Sequence, residues 1–319
     1  MKSALSAKTR QKKPSETDEK TATQKRLASF NRQKNLLLML AAFANTLLIS
    51  LFIGAGFIAQ QLTVVDNPSD VANAFGLVAY MVVAAAVMLL VLKFYKGNLL
   101  FKLLEYGLIA SSASIFGMAF LPGYEMHAII AAVAIRLAFA QAQNVLLLAS
   151  CIIVGSLLAA SLDFIPVAVF AILLSAYDYI AVFRTKHMVK LAEGLGNRDA
   201  AFSIKIGVAS TPKAHASEAK KENPAEKNMR IESPRSGIEL GLGDFMIGIM
   251  LSVAALKIGA FPAFGYALAS VLGATAGLAL MFYLLEKKGG YFPAVPPIAA
   301  GSLLCIAAYW IIRTALGTV

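Results

Sequence analysis

The chain of 319 residues is 58% hydrophobic and only 15% charged, with a mean hydropathy of +0.69. A soluble domain carries about 25% charged residues, and here the apolar residues fall in long runs, which excludes a soluble globular fold in favour of a polytopic membrane protein. The net charge of +11 sits between the runs, where membrane topology places it, so it is not the footprint of a nucleic-acid binder.

Residues 1–34 hold ten Lys and Arg against three acids and no apolar face. They read as a disordered, basic cytoplasmic tail. The tail is too long and polar for the n-region of a signal peptide, and the run after it is too long for an h-region. That run, 35–60, is long enough to span. Further candidate spans follow at 71–92, 99–121, 127–141, 145–162, 165–183, 239–258, 263–285 and 294–314. The stretch 127–141 is the weakest, being short and containing Arg136. The expected fold is therefore all-α, with nine transmembrane helices.

The connections test that count. With the N-terminus inside, the inner segments carry 26 of the 29 Lys and Arg. The outer loops carry Asp66, Asp70, Glu125 and Asp163 and no basic residue. Lys257 and Arg313 fall at outer helix ends, where long basic side chains snorkel. The pattern predicts a cytoplasmic N-terminus and an outer C-terminus. The inner loop 187–237 is rich in Ser, Thr, Pro, Lys and Glu and reads as a flexible linker. It divides the bundle into a six-helix part, 35–186, and a three-helix part, 238–319. Helical spacing of Met188, Val189 and Ala192 suggests that the sixth helix runs on beyond Arg184, to an end at Gly194 or Gly196.

Of the 18 acidic residues, two do not belong in loops, tails or helix ends. They are Asp178, in LLSAYDYIAVF, and Asp244, in GLGDFMIG. An ionisable group at membrane depth costs ~2.5–3.5 kcal/mol on insertion scales, so it is a functional candidate by default. Counted from the inner boundaries at 1.5 Å per residue, both lie about 8–9 Å deep, on consecutive helices of opposite direction. Gly241 and Gly248 flank Asp244 at helical spacing, and Ser175 and Ala181 flank Asp178, so two faces of small residues are expected to meet. Two adjacent carboxylates titrate as a unit and hold one proton between them. One then serves as a base on water while the other protonates a carbonyl oxygen. Other readings stand beside this one. Asp178 could pair structurally with Arg136, and the same two carboxylates could form a cation or proton site in a transporter or leak channel.

Other chemistries lack their residues. His127, His187 and His215 are scattered without HExxH. There is no GxSxG serine and no phosphate loop. Cys151 and Cys305 lie in apolar runs and read as small packing residues. GATAG, residues 273–277, reads as a GxxxG packing face. Glu105 reads as a favourable charge near the start of the third helix. Pro293, Pro296 and Pro297 break the start of the ninth helix, and broken backbone at membrane depth is tolerated only against protein or a watery cavity.

Three stretches taken together, YD (Tyr177, Asp178), GLGD (Gly241, Leu242, Gly243, Asp244) and PAVP (Pro293, Ala294, Val295, Pro296), resemble the presenilin and signal peptide peptidase family of intramembrane aspartyl proteases. GLGDF is more similar to the presenilin side, and the short loops look like prokaryotic, particularly archaeal, members. The resemblance implies that Asp178 and Asp244 are catalytic, and that Tyr177 orients or shields Asp178. It also implies that Gly241, Leu242 and Gly243 support Asp244 by close backbone approach. PAVP would cradle an extended substrate, with Val295 where the family has leucine. No cofactor or metal is implied. The expected partners are membrane lipid and single-span or signal-peptide substrates, with no nucleic acid and no obligate subunit. A homo-oligomer is compatible with the sequence, and a prokaryotic plasma membrane is the expected location.

Overall fold

The computed structural model describes residues 16–95, 97, 99–184, 203–206, 238–259, 263–288 and 292–317. Among these are nine α-helices and one pair of strands. In chain order they are α1 (Glu16–Ala59), α2 (Ala72–Phe94), α3 (Leu99–Phe120), α4 (Glu125–Ala138), α5 (Gln143–Ser161) and α6 (Phe164–Phe183). Strands β1 (Ser203–Ile206) and β2 (Ile238–Gly241) follow, then α7 (Leu242–Ala254), α8 (Phe264–Lys288) and α9 (Val295–Ala315). Seven helices are long and apolar enough to cross a membrane, and α4 and α7 fall short. The chain is a multi-pass membrane protein.

Contacts divide the chain into two units, Met1–Leu38 with Ile206–Ile238, and Met39–Lys205 with Glu239–Val319. Of the first, the described part is chiefly the start of α1. That helix begins at Glu16, inside the tail expected to lack structure. Its Ala, Glu, Lys, Leu, Gln and Arg residues are strong helix formers, so propensity outweighs the missing apolar face there. The expected extension of α6 and most of 187–237 lie outside the described residues. Within that loop, Ser203–Ile206 is a strand, and its alternating Ile204 and Ile206 suit one.

The second unit is built around α7. Phe245 and every residue from Ile247 to Ala254 are buried, as expected of a helix that is apolar all round. It packs on α5, α6, α8 and α9. Helix α1 covers another side, with Phe43 against Phe245 at 5.3 Å between ring centroids. Gly248 lies under Phe43 and Leu47, and Gly54 under Val253. The face of Gly248 therefore receives α1 and not α6, against the sequence expectation. Thirteen residues reach only about 20 Å, less than the ~30 Å hydrocarbon core. Surrounding helices make this workable, because a helix end sheathed in protein needs no lipid-facing partner.

Polar pairs fix the periphery. Arg136 on α4 donates to Glu105 on α3 at 2.6 Å, and Gln143 on α5 donates to the other Glu105 oxygen at 3.1 Å. Arg136 is thus engaged by the buried Glu105 and not by Asp178. At the far end, Lys257 donates to the carbonyls of Ala160 and Leu162 at 2.7 and 2.8 Å, a cation on the C-terminus of α5. Three fully buried hydroxyls join α7, α8 and α9. Ser252 meets Ser270 at 3.1 Å, and Ser270 meets Ser302 at 2.7 Å.

GATAG is a packing face. A Cβ on Gly273 would strike the Gly301 carbonyl of α9, and one on Gly277 would strike the Pro297 carbonyl. Gly107 on α3, in contrast, meets nothing within 4 Å. Gly277→Ala should therefore lower stability by about 1–3 kcal/mol through overpacking. Gly107→Ala should be neutral or stabilising by up to about 1 kcal/mol. Thermal unfolding in one detergent checks this, and equal shifts for the two variants would contradict the backbone contact.

Candidate active site

Asp178 belongs to the buried stripe of α6. Val167, Phe170, Ala171, Leu174, Asp178 and Ala181 recur at helical spacing and all face inward. Asp178 is only 7% exposed, so its carboxylate needs a donor. The donor is the backbone N–H of Val295. Val295 opens α9, and the first N–H groups of a helix have no partner inside it. Pro296 and Pro297, next in line, have no N–H to offer. The Ile298 N–H already bonds the Ala294 carbonyl at 3.3 Å. The prolines therefore leave one free amide in the first three positions of α9, and it meets Asp178.

The approach of this turn is fixed by apolar contacts. Phe292 stands edge-on to Phe183 at the end of α6, 6.0 Å between centroids. Pro293, Ala294 and Val295 are buried, and Pro296 is half-buried. On the other side Pro297 rests on Gly277. The PAVP segment is thus held between α6 and α8.

Asp244 is placed differently from its sequence expectation. The chain leaves β2 at Gly241 with φ −67° and ψ 145°, and the helix starts at Leu242. Asp244 is the third residue of α7, in its first turn and not within its length. A carboxylate there is favoured by the positive end of the helix dipole. It accepts the backbone N–H of Gly241. This is the return arm of a capping box, with Asp in place of the usual Glu or Gln. A Cβ on Gly241 would lie 3.3 Å from Asp244 Oδ2, so glycine permits the close approach.

The two carboxylates are near enough to interact electrostatically. Asp178 lies near the C-terminal end of α6 and Asp244 in the first turn of α7, and α9 contributes through Val295. Leu242 and Tyr177 are half-buried, and Gly243 is exposed with open space at its Cβ position. Gly243 thus leaves room beside Asp244 and is not packed against the protein.

Sequence reasoning missed Cys151. Its thiol donates to the Leu242 carbonyl at 3.4 Å, and it lies within electrostatic reach of Asp244. Nothing in the local sequence signals this, since it depends on α5 crossing α7, where Gly155 sits against Ile249. Cys305 behaves as a packing residue, its Cβ lying against Gly273. Among the described residues no group of His, Cys, Asp and Glu could hold a metal ion. The site is chemically a pair of carboxylates, each oriented by one main-chain donor, beside open space. Such a pair activates water and protonates a carbonyl.

Residues 40–317 match the family described as signal-peptide peptidase, presenilin aspartyl protease. Two solved structures of a presenilin family intramembrane aspartate protease share the fold. The one in space group C222 is 21% identical with a TM-score of 0.59, covering 86% of this chain and 99% of its own. The one in space group P2 is 22% identical with a TM-score of 0.56, covering 85% and 97%. No curated protein matches the sequence.

The Gly241 donor is testable through its backbone angles, which already suit proline. Gly241→Ala adds a Cβ and keeps the N–H, whereas Gly241→Pro removes the N–H as well. We expect Gly241→Pro to be less stable than Gly241→Ala by about 1–3 kcal/mol, the cost of a carboxylate losing a buried donor. Detergent unfolding curves read the difference. Equal stability would show that Asp244 does not depend on this donor.

Proposed function

The chain belongs to the signal-peptide peptidase and presenilin aspartyl protease family, and on that premise we propose that Asp178 and Asp244 are its catalytic pair. The protein is an intramembrane aspartyl protease, hence a peptide hydrolase. The observation that carries the assignment is the juxtaposition of these two carboxylates, each held by a backbone N–H.

In the proposed reaction one carboxylate takes a proton from a water molecule. The hydroxide oxygen bonds to the scissile carbonyl carbon. The other, protonated, carboxyl gives its proton to the carbonyl oxygen, forming a neutral tetrahedral diol. The C–N bond then breaks as the first carboxyl protonates the leaving nitrogen and the second recovers its proton from a hydroxyl of the diol. One water is consumed for each bond cut, the two carboxyl groups return to their starting protonation states, and no metal or cofactor enters the balance.

The substrate proposed is a single-span or signal-peptide-like helix, unwound at the bond to be cut. Extended peptides bind by strand addition. Strand β2 leads directly to Gly241, and in a two-stranded sheet each strand keeps one edge for another partner. Open space at Gly243 supports entry of a backbone between that edge and the PAVP turn. Tyr177 is proposed to shield Asp178 from one side.

Nine spans with a cytoplasmic N-terminus and an outer C-terminus remain the proposed topology, with short α4 and α7 completed by their neighbours. The charge distribution supports it. Cleavage then occurs near the cytoplasmic side, in the plasma membrane of a prokaryote, with the archaeal members as the proposed branch. No partner subunit is proposed to be needed.

The test uses purified protein in detergent with a transmembrane model peptide, comparing the wild type with Asp178→Ala and Asp244→Ala after confirming that all three are folded. Wild type alone should cleave, each variant losing about 10³-fold or more. A transition-state analogue of aspartyl proteases should block the wild type, since such analogues bind far tighter than substrates. Cleavage surviving loss of either aspartate would overturn the assignment. Ion flux without hydrolysis, dependent on both, would favour the transport reading.

A further inference from the structure

One cavity among the described residues is lined by none of the residues around the two aspartates. It is a cleft of about 430 Å³ between the end of α2 and the start of α3. That volume falls within the ~300–1,000 Å³ of small-ligand sites. Its walls are Leu90, Val91 and Phe94 from α2, Tyr95 beyond it, and Leu99, Leu100 and Leu103 from α3. Leu90, Phe94, Leu99 and Leu103 are 55–75% exposed, so the cleft opens towards the membrane.

Helix α2 explains why a cleft exists here. Its one buried residue is Ala74, and it leans on α6. Among the described residues no side chain fills the space between its last turn and the first turn of α3. Acyl chain is the apolar material available at that depth.

Two lysines adjoin the wall residues in sequence. Lys93 places its ammonium 5.5 Å from the ring centroid of Phe94, a wall residue. Lys102 stands between wall residues Leu100 and Leu103 on α3. Both lysines are exposed. Residues 88–104 contain no acid, and the nearby Glu105 is buried and engaged by Arg136 and Gln143. Basic residues at the mouth of an apolar gap between helices select anionic headgroups.

We propose that the α2–α3 cleft is a binding site for one anionic phospholipid, its acyl chain along the leucine wall and its phosphate between Lys93 and Lys102. The lipid fills the gap that α2 leaves. It thereby braces α2, which packs on the helix that carries Asp178.

The test reconstitutes the full chain in nanodiscs of equal phosphatidylglycerol and phosphatidylcholine and counts retained lipid by native mass spectrometry. Wild type should retain phosphatidylglycerol over phosphatidylcholine by about tenfold, as expected for two lysines at a membrane surface. Lys93→Gln with Lys102→Gln should abolish the preference, and Lys93→Arg with Lys102→Arg should keep it. Leu103→Trp, which narrows the cleft, should lower retention of both lipids while the lysines remain. Thermal unfolding in phosphatidylcholine alone should be the same for wild type and the glutamine variant, which confirms folding. Equal retention of the two lipids by wild type, or an unchanged preference in the glutamine variant, would overturn the proposal. None of these readouts depends on peptide cleavage.

Discussion

A carboxylate within a membrane bundle must be met by donors or it costs several kcal/mol. This protein meets both of its central carboxylates with main-chain N–H groups at helix N-termini. Gly241 supplies one, at the start of α7, and Val295 the other, at the start of α9. Helix starts are the natural place for this, because their first amides have no partner of their own. The positive dipole end adds to the effect. A backbone donor also cannot change rotamer, so each carboxylate is aimed by the fold and not by another flexible side chain.

Much of the surrounding architecture follows from bringing two helix starts to one point. Helix α7 spans only Leu242–Ala254, and the helices around it shield that short segment. Strand β2 delivers the chain to Gly241. Pro293 precedes α9, and Pro296 and Pro297 remove competing donors from its first turn. Gly277 lets α8 approach the Pro297 carbonyl, which sets how far the Val295 amide reaches. The hydroxyls of Ser252, Ser270 and Ser302 tie the same three helices two turns further on.

The apolar runs, the odd placement of Asp178 and Asp244 and the three ordered motifs were legible in the sequence. Runs are legible because the bilayer demands them, and intramembrane acids because they are expensive. The boundary before Asp244 was not. IELG carries one charge, Glu239, between apolar residues and glycine and continues into α7 without a break, so hydropathy assigns all but its first residue to the helix. Its strand identity depends on pairing with Ser203–Ile206, more than thirty residues away. The partner of Arg136 was equally hidden, since a choice between Glu105 and Asp178 rests on how helices cross. Cys151 looked like packing because its neighbour Leu242 belongs to a distant helix. The proline motif was read as a cradle for substrate. Its contact with Asp178 through Val295 is a tertiary fact that no spacing reveals. That contact uses the backbone, so a valine in the position of the family's leucine leaves it intact.

The central claim is that main-chain donors at helix starts hold the reactive carboxylates. Its most direct test replaces Val295 by the corresponding α-hydroxy acid, using nonsense suppression. This exchanges the N–H for an ester oxygen and leaves the side chain unchanged. Ile298, whose N–H bonds Ala294 within α9, serves as the control for backbone substitution. The account predicts that the ester at 295 lowers kcat for a transmembrane peptide by about 10–100-fold, equivalent to ~1.4–2.7 kcal/mol, with KM and folding close to the control. Turnover by the 295 ester equal to the 298 control would contradict it.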